Sequence, residues 1–149
     1  MSTSASFNNS YFVPIQGKAG EDWVMRKLPM IASVAMSAGG AVYNVGDGTT
    51  TVITDATTNF AGILMQDIAA TDADYATSMK EKYVMVPTSD AAKAEFAVGA
   101  GTFTTADVGK SVKFNDYLGL AVDTAGIQAR ITNYISSTRG VCIFNRDIV

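Results

Sequence analysis

The sequence predicts a mainly β fold: a compact β-barrel or sandwich with one or two short helices and an extended N-terminal arm. Three observations predict it. Apolar runs are short and several alternate with a period of two, glycine-bearing turns separate them at close intervals, and helical periodicity is scarce.

Residues 1–22 form the arm. Ser, Thr, Asn and Gly dominate there, interrupted by Phe7, Tyr11, Phe12, Val13 and Ile15, and neither period persists. Residues 23–149 then read as one β-rich domain. The predicted strands are 31–34, 41–45, 50–53, 62–65, 83–86, 94–98, 111–114, 120–122, 128–134 and 140–144. Phe96 and Val98 share a face that Glu95 and Ala97 do not, and Val112 and Phe114 lie opposite Ser111 and Lys113. Turn signals fall between the runs, among them Gly46-Asp-Gly48, Gly99-Ala-Gly101 and Gly126. The clusters of Ala, Met, Glu and Lys in 71–82 and 89–93 are the helix candidates, with Thr71 as a cap. Thr105-Ala-Asp-Val-Gly109 reads as a single turn stopped by its glycine.

A loose internal echo runs through the chain. Gly40-Ala-Val42-Tyr-Asn-Val45 leads to Phe60-Ala-Gly62-Ile63-Leu64, and Gly109-Lys-Ser-Val112-Lys-Phe114 leads to Tyr117-Leu-Gly119-Leu120-Ala-Val122. Two related β units packed together would each cover an edge that the other exposes.

Composition narrows the function. The 149 residues are 48% hydrophobic and only 17% charged, so most of the chain folds, and its length suits one domain. Fourteen acids against eleven bases give a net charge of −3, with no Lys/Arg run to track phosphates; nucleic-acid binding is not expected. The charge-free stretch 28–46 contains Pro29, Gly39, Gly40 and Asn44 and is too polar to span a bilayer. Without a secretory signal at its start, the chain is expected to be a soluble product of a cytoplasm.

Chemistry-bearing residues are few. The absence of histidine removes Ser-His and Cys-His pairs and most zinc sites. Cys142, the single cysteine, sits in an apolar run and reads as a small buried side chain. Asp67, Asp72 and Asp74 make the tightest acidic group, but their spacing lacks the pattern of a calcium loop, and a solvated loop is the expected reading. Gly46-Asp-Gly48 lacks the Lys-Ser/Thr of a phosphate cradle and reads as a hairpin turn. Lys80-Glu-Lys82 reads as a solvated mixed-charge face. No catalytic residue, cofactor or metal site is expected, and the chain is not expected to be an enzyme.

An apolar-studded arm, a glycine-punctuated β domain and this shortage of chemistry together resemble the capsid decoration (head auxiliary, or cement) proteins of tailed bacteriophages. The likeness rests on 38–48 running to Asn59-Phe-Ala-Gly-Ile-Leu64, on Asp107-Val-Gly-Lys-Ser-Val-Lys-Phe-Asn-Asp116 with Gly119-Leu-Ala-Val-Asp123, and on the closing Arg139-Gly-Val-Cys-Ile-Phe144. It covers roughly 30–145, and segment 67–93 departs from it. The resemblance implies a virion protein on the outer capsid surface, often a homotrimer, whose partners are the major capsid protein and copies of itself. It implies no small-molecule substrate.

Physical reasoning assigns Phe7, Tyr11, Phe12, Val13 and Ile15 to partner binding. Burying these side chains does not by itself offset the entropy of ordering the arm, so backbone pairing is needed, most simply strand addition to a neighbour's exposed edge. Rival expectations are a tail, baseplate or fibre-base component, or a small-ligand-binding β-barrel lined by Trp23 and some of the six tyrosines.

Overall fold

The computed structural model describes residues 11–15, 22–54, 60–89 and 91–144. The chain is mainly β, in two sheets built from eleven strands: β1 (Val13–Ile15), β2 (Trp23–Met30), β3 (Ala41–Asn44), β4 (Thr50–Val52), β5 (Gly62–Leu64), β6 (Lys80–Pro87), β7 (Lys93–Ala100), β8 (Ser111–Asp116), β9 (Gly119–Ala125), β10 (Ala129–Ser136) and β11 (Arg139–Phe144). The described helix is a single 3-10 turn, Thr105–Asp107, where Thr104 and Asp107 form a reciprocal capping box. The one-turn expectation there holds. The helix candidates at 71–82 and 89–93 do not: the first is a turn region running into β6, and the second leads into β7. All of 80–87 pairs with β2, and Val84 and Met85 pair with β5 as well; that pairing outweighs the weak helical preference of Ala, Lys and Glu.

Two further differences concern strands. Residues 31–34 form a turn, with Ser33 at φ 61°, while Ile31 and Val34 still pack on a core cluster. β2 was not among the predicted strands because Arg26, Lys27 and Pro29 interrupt its apolar pattern. It pairs residue for residue with β6 over its whole length.

The two sheets share one topology. Strands β2–β6 pair in the closed order β2-β4-β3-β5-β6, with β2 and β4 parallel. Strands β7–β11 pair in the order β7-β9-β8-β10-β11 and return to β7, with β7 and β9 parallel. In both, the first strand of the unit pairs the third in parallel and the fifth antiparallel. The register matches as well. Around the first ring, Arg26 faces Val84, Val84 faces Leu64, Gly62 faces Val42, Asn44 faces Thr50, and Thr50 faces Met30. Around the second, Ala94 faces Cys142, Cys142 faces Ile131, Ala129 faces Val112, Phe114 faces Leu120, and Leu120 faces Val98. The spacings within each strand agree, so the two walks close in step.

The echo expected at Gly40–Val45 and Gly109–Phe114 therefore falls on equivalent strands, β3 and β8. Its second half does not, since Gly62 lies in the fourth strand of its unit and Gly119 in the third of its own.

Each ring is filled from all five strands. Met30, Val42, Leu64 and Val84 meet inside the first, with Val52 packed against them, and Lys80 closes one end. Its ammonium donates to the carbonyls of Ile31 (3.0 Å), Tyr75 (2.9 Å) and Thr77 (3.5 Å), and it lies over the Tyr75 ring. Lys80 was expected to be solvated, but carbonyls freed at the turn make a ready acceptor set for a buried cation. In the second ring Val112, Ile131 and Cys142 stand where Val42, Leu64 and Val84 do in the first, and Phe96 stands at the place of Leu28.

The units use their outer faces differently. Ala41 and Ile63 of the first are wholly buried in the core shared with the second unit, whereas the equivalent Ser111 and Arg130 are exposed. Cross-unit hydrogen bonds fix the packing: the Ala41 amide to the Tyr117 carbonyl (2.7 Å), the Ser37 amide to the Tyr117 hydroxyl (2.9 Å), Trp23 Nε1 to the Lys93 carbonyl (2.9 Å) and Gln128 Nε2 to the Thr54 carbonyl (3.1 Å).

Candidate interaction surface

The residues assigned to partner binding belong, where described, to the chain's own domain. Phe12 is completely buried, its ring edge-on to Phe114 (5.6 Å) and Phe144 (5.3 Å), and its amide donates to the Gly39 carbonyl at 2.9 Å. Val13 and Ile15 are half-buried in β1, facing Glu95 and Lys93 of β7. The Tyr11 carbonyl accepts from Arg139 Nη2 (3.0 Å), and the same guanidinium pairs with Glu95. Phe7 lies outside the described residues.

Strand addition is thus the mode by which this segment is held, but the edge belongs to β7 of the same chain. The described residues of the expected arm, 11–15, pack against the β-rich domain. Two apolar rings next to Phe12 explain why: burial in its own core is always available to an intramolecular segment, whereas a neighbour must first be met. Sequence alone could not say whose edge would receive it.

The acidic residues expected in a solvated loop each hold local structure. Asp67 accepts from the Ala38 amide (2.7 Å), Asp72 from the Ala69 amide (2.9 Å), and Asp74 pairs with Lys82 (2.9 Å), whose hydrogen bond lowers the Asp74 pKa. No group of three or more metal-ligating side chains occurs among the described residues. Gly46 and Gly48 have φ of 102° and 93° and bracket the β3–β4 hairpin, as expected. Between them Asp47 accepts from the Thr49 amide and hydroxyl. Cys142 is buried, and desolvation pushes its thiol pKa far up, which suppresses the nucleophilic thiolate. Among the described residues no helix is long and apolar enough to cross a membrane.

An open cleft of about 340 Å³ lies between Tyr11, Met36, Ser37, Asp67, Ile68 and Tyr117. Its Asp67 carboxylate and Tyr117 hydroxyl are already bonded to backbone amides, and the interior of the first ring is occupied by side chains. Neither provides the convergent free polar groups of a small-molecule site.

The surface is more informative. Met25, Val45, Met79 and Tyr83 are large apolar residues exposed on the first unit, and Val108, Ile127, Tyr134 and Ile135 on the second. Met25, Lys27, Tyr83 and Met85 share one face of the β2–β6 ladder, because Met25 faces Met85 and Lys27 faces Tyr83. Lys27 Nζ stands 5.1 Å from the Tyr83 ring centre. Neither Arg26 nor Lys27 makes an ion pair among the described residues.

Compared with known proteins, the sequence matches no family model and no curated protein. The fold and surface stand on their own geometry.

Proposed function

We propose that this chain is a structural virion protein that binds the outer surface of an icosahedral phage capsid and ties neighbouring capsomers together, acting through contact and not catalysis. Its partners are the major capsid protein and further copies of itself, in a homotrimer, and it carries no cofactor. The observation that supports this most directly is that two β units, joined through a shared core, each expose several large apolar side chains: Met25 and Tyr83 on one, Ile127 and Ile135 on the other. A clamp needs contact surface at separate places on one rigid body, and repetition by symmetry turns modest contacts into strong attachment. Expected burial is of standard size, about 800 Å² on each partner.

The test is sedimentation of the purified protein with undecorated heads of the parent phage. Saturable co-pelleting at a fixed ratio to the major capsid protein is the expected result. Protein that stays in the supernatant at micromolar concentration, or that pellets only with tails, overturns the reading.

A further inference from the structure

We infer that the free edge of β2 at Met25, Arg26 and Lys27 is a strand-addition site for an extended segment of a partner protein, one that places an acidic residue opposite Arg26.

The internal duplication carries this. Carried round both rings, the register makes Met25, Arg26 and Lys27 the equivalents of Lys93, Ala94 and Glu95 in β7. On β7 those three residues have β11 on one edge and β1 on the other. On β2 the equivalent three have β6 on one edge, and no described strand on the other, since β4 reaches only Met30. Among the described residues, one unit has its slot filled and its duplicate does not.

The backbone of β2 is arranged to receive a strand. The Thr88 amide donates to the Asp22 carbonyl, so even-numbered residues of β2 bond to β6. The Tyr83 carbonyl accepts from the Met65 amide across β5, which confirms that Tyr83 and its opposite, Lys27, do not exchange bonds. The amides and carbonyls of Met25 and Lys27 therefore point out along the free edge. Pro29 sits in the same outward register, where a missing N–H costs nothing. On β7 the Val98 amide donates to Thr138 on the β11 side, which leaves odd-numbered Lys93 and Glu95 to bond Ile15 and Val13. Pro14 then takes the non-bonding place opposite Ala94.

Charge selects the occupant. Where the filled slot has buried Ala94, the empty one has exposed Arg26, followed by exposed Lys27. A second copy laid edge to edge would set these cations against their own counterparts, and a second copy's β1 is already held on its own β7. An acidic residue with apolar flanks meets Arg26 on one face of the ladder and the Met25–Tyr83 face on the other. The inference does not depend on the capsid reading.

The probe is a labelled peptide of residues 11–17 carrying Pro14→Glu, added to the full chain and followed by fluorescence polarisation. Binding should weaken about tenfold or more in Lys27→Pro, which removes one outward amide and spares the β6 ladder, and in Arg26→Glu. The Arg26→Glu chain should prefer the Pro14→Lys peptide. In the unaltered chain, hydrogen exchange should find the Met25 and Lys27 amides unprotected alone and protected with peptide. A peptide that binds no better than a scrambled one, binding that ignores both substitutions, or amides already protected in the free chain would each overturn the inference.

Discussion

The ring of Phe60 lies stacked on the ring of Phe144, centroids 3.9 Å apart and planes 10° from parallel. Phe60 leads into β5 of the first unit and Phe144 ends β11 of the second, so this contact joins the duplicates. Phe144 also stacks at 5.9 Å on Phe114 and meets Trp23 edge-on. The two units therefore share one core and should unfold together. Phe60→Ala and Phe144→Ala should each cost about 3–5 kcal/mol, and a double-mutant cycle should give about 0.5–1.5 kcal/mol of coupling. Urea unfolding followed separately by Trp23 fluorescence and far-UV circular dichroism should give coincident transitions. Two resolved transitions would contradict the shared core.

Phe12 should behave as a core residue. Phe12→Ala removes a ring packed against Phe114 and Phe144 and should destabilise the chain by about 3–5 kcal/mol in chemical denaturation. Removing residues 1–16 takes Phe12 and β1 away together, uncovering the edge of β7 and opening the core.

Lys80 should matter to stability far more than its charged neighbour Lys82. Lys80→Met leaves the carbonyls of Ile31 and Tyr75 without their donor and should cost about 2–3 kcal/mol. Lys82→Met breaks an ion pair with the more exposed Asp74 and should cost less than about 1 kcal/mol. Equal losses for the two would mean that the ammonium does not close the ring end.

Acid should weaken the fold through Asp107. The hydrogen bond from Lys110, at 2.9 Å, and the Thr104 amide hold the Asp107 carboxyl below the ordinary carboxylate range. A depressed folded-state pKa stabilises the protein above the unfolded value, and that contribution is lost as pH falls through the folded one. Melting temperatures taken from pH 7 downward should begin to fall near pH 4, and Asp107→Asn should flatten part of that decline. Asp74, lowered by Lys82, acts in the same direction.

Several features were legible in the residues themselves. Nine predicted strands coincide with β3–β11, because alternation and glycine turns report a half-buried pleated surface directly. The Gly46–Gly48 hairpin and the 3-10 turn at Thr105–Asp107 were equally local. β2 was missed because Arg26 and Lys27 break the apolar pattern of a strand whose pairing with β6 is set more than fifty residues away. The duplication showed only as a faint echo. Of the eight equivalent pairs met in walking the rings, Val42 and Val112 alone are identical in type, and position in a ring demands volume and polarity more than a particular residue.

By itself, then, the sequence determined a β protein with tight glycine turns and an apolar leading segment. Tertiary structure alone decided which edge that segment joins, that Lys80 is buried, and that, among the described residues, only one copy of a repeated slot holds a strand. Local patterning sets what a strand can pair with, but the choice among competing edges depends on which partners the closed rings bring within reach.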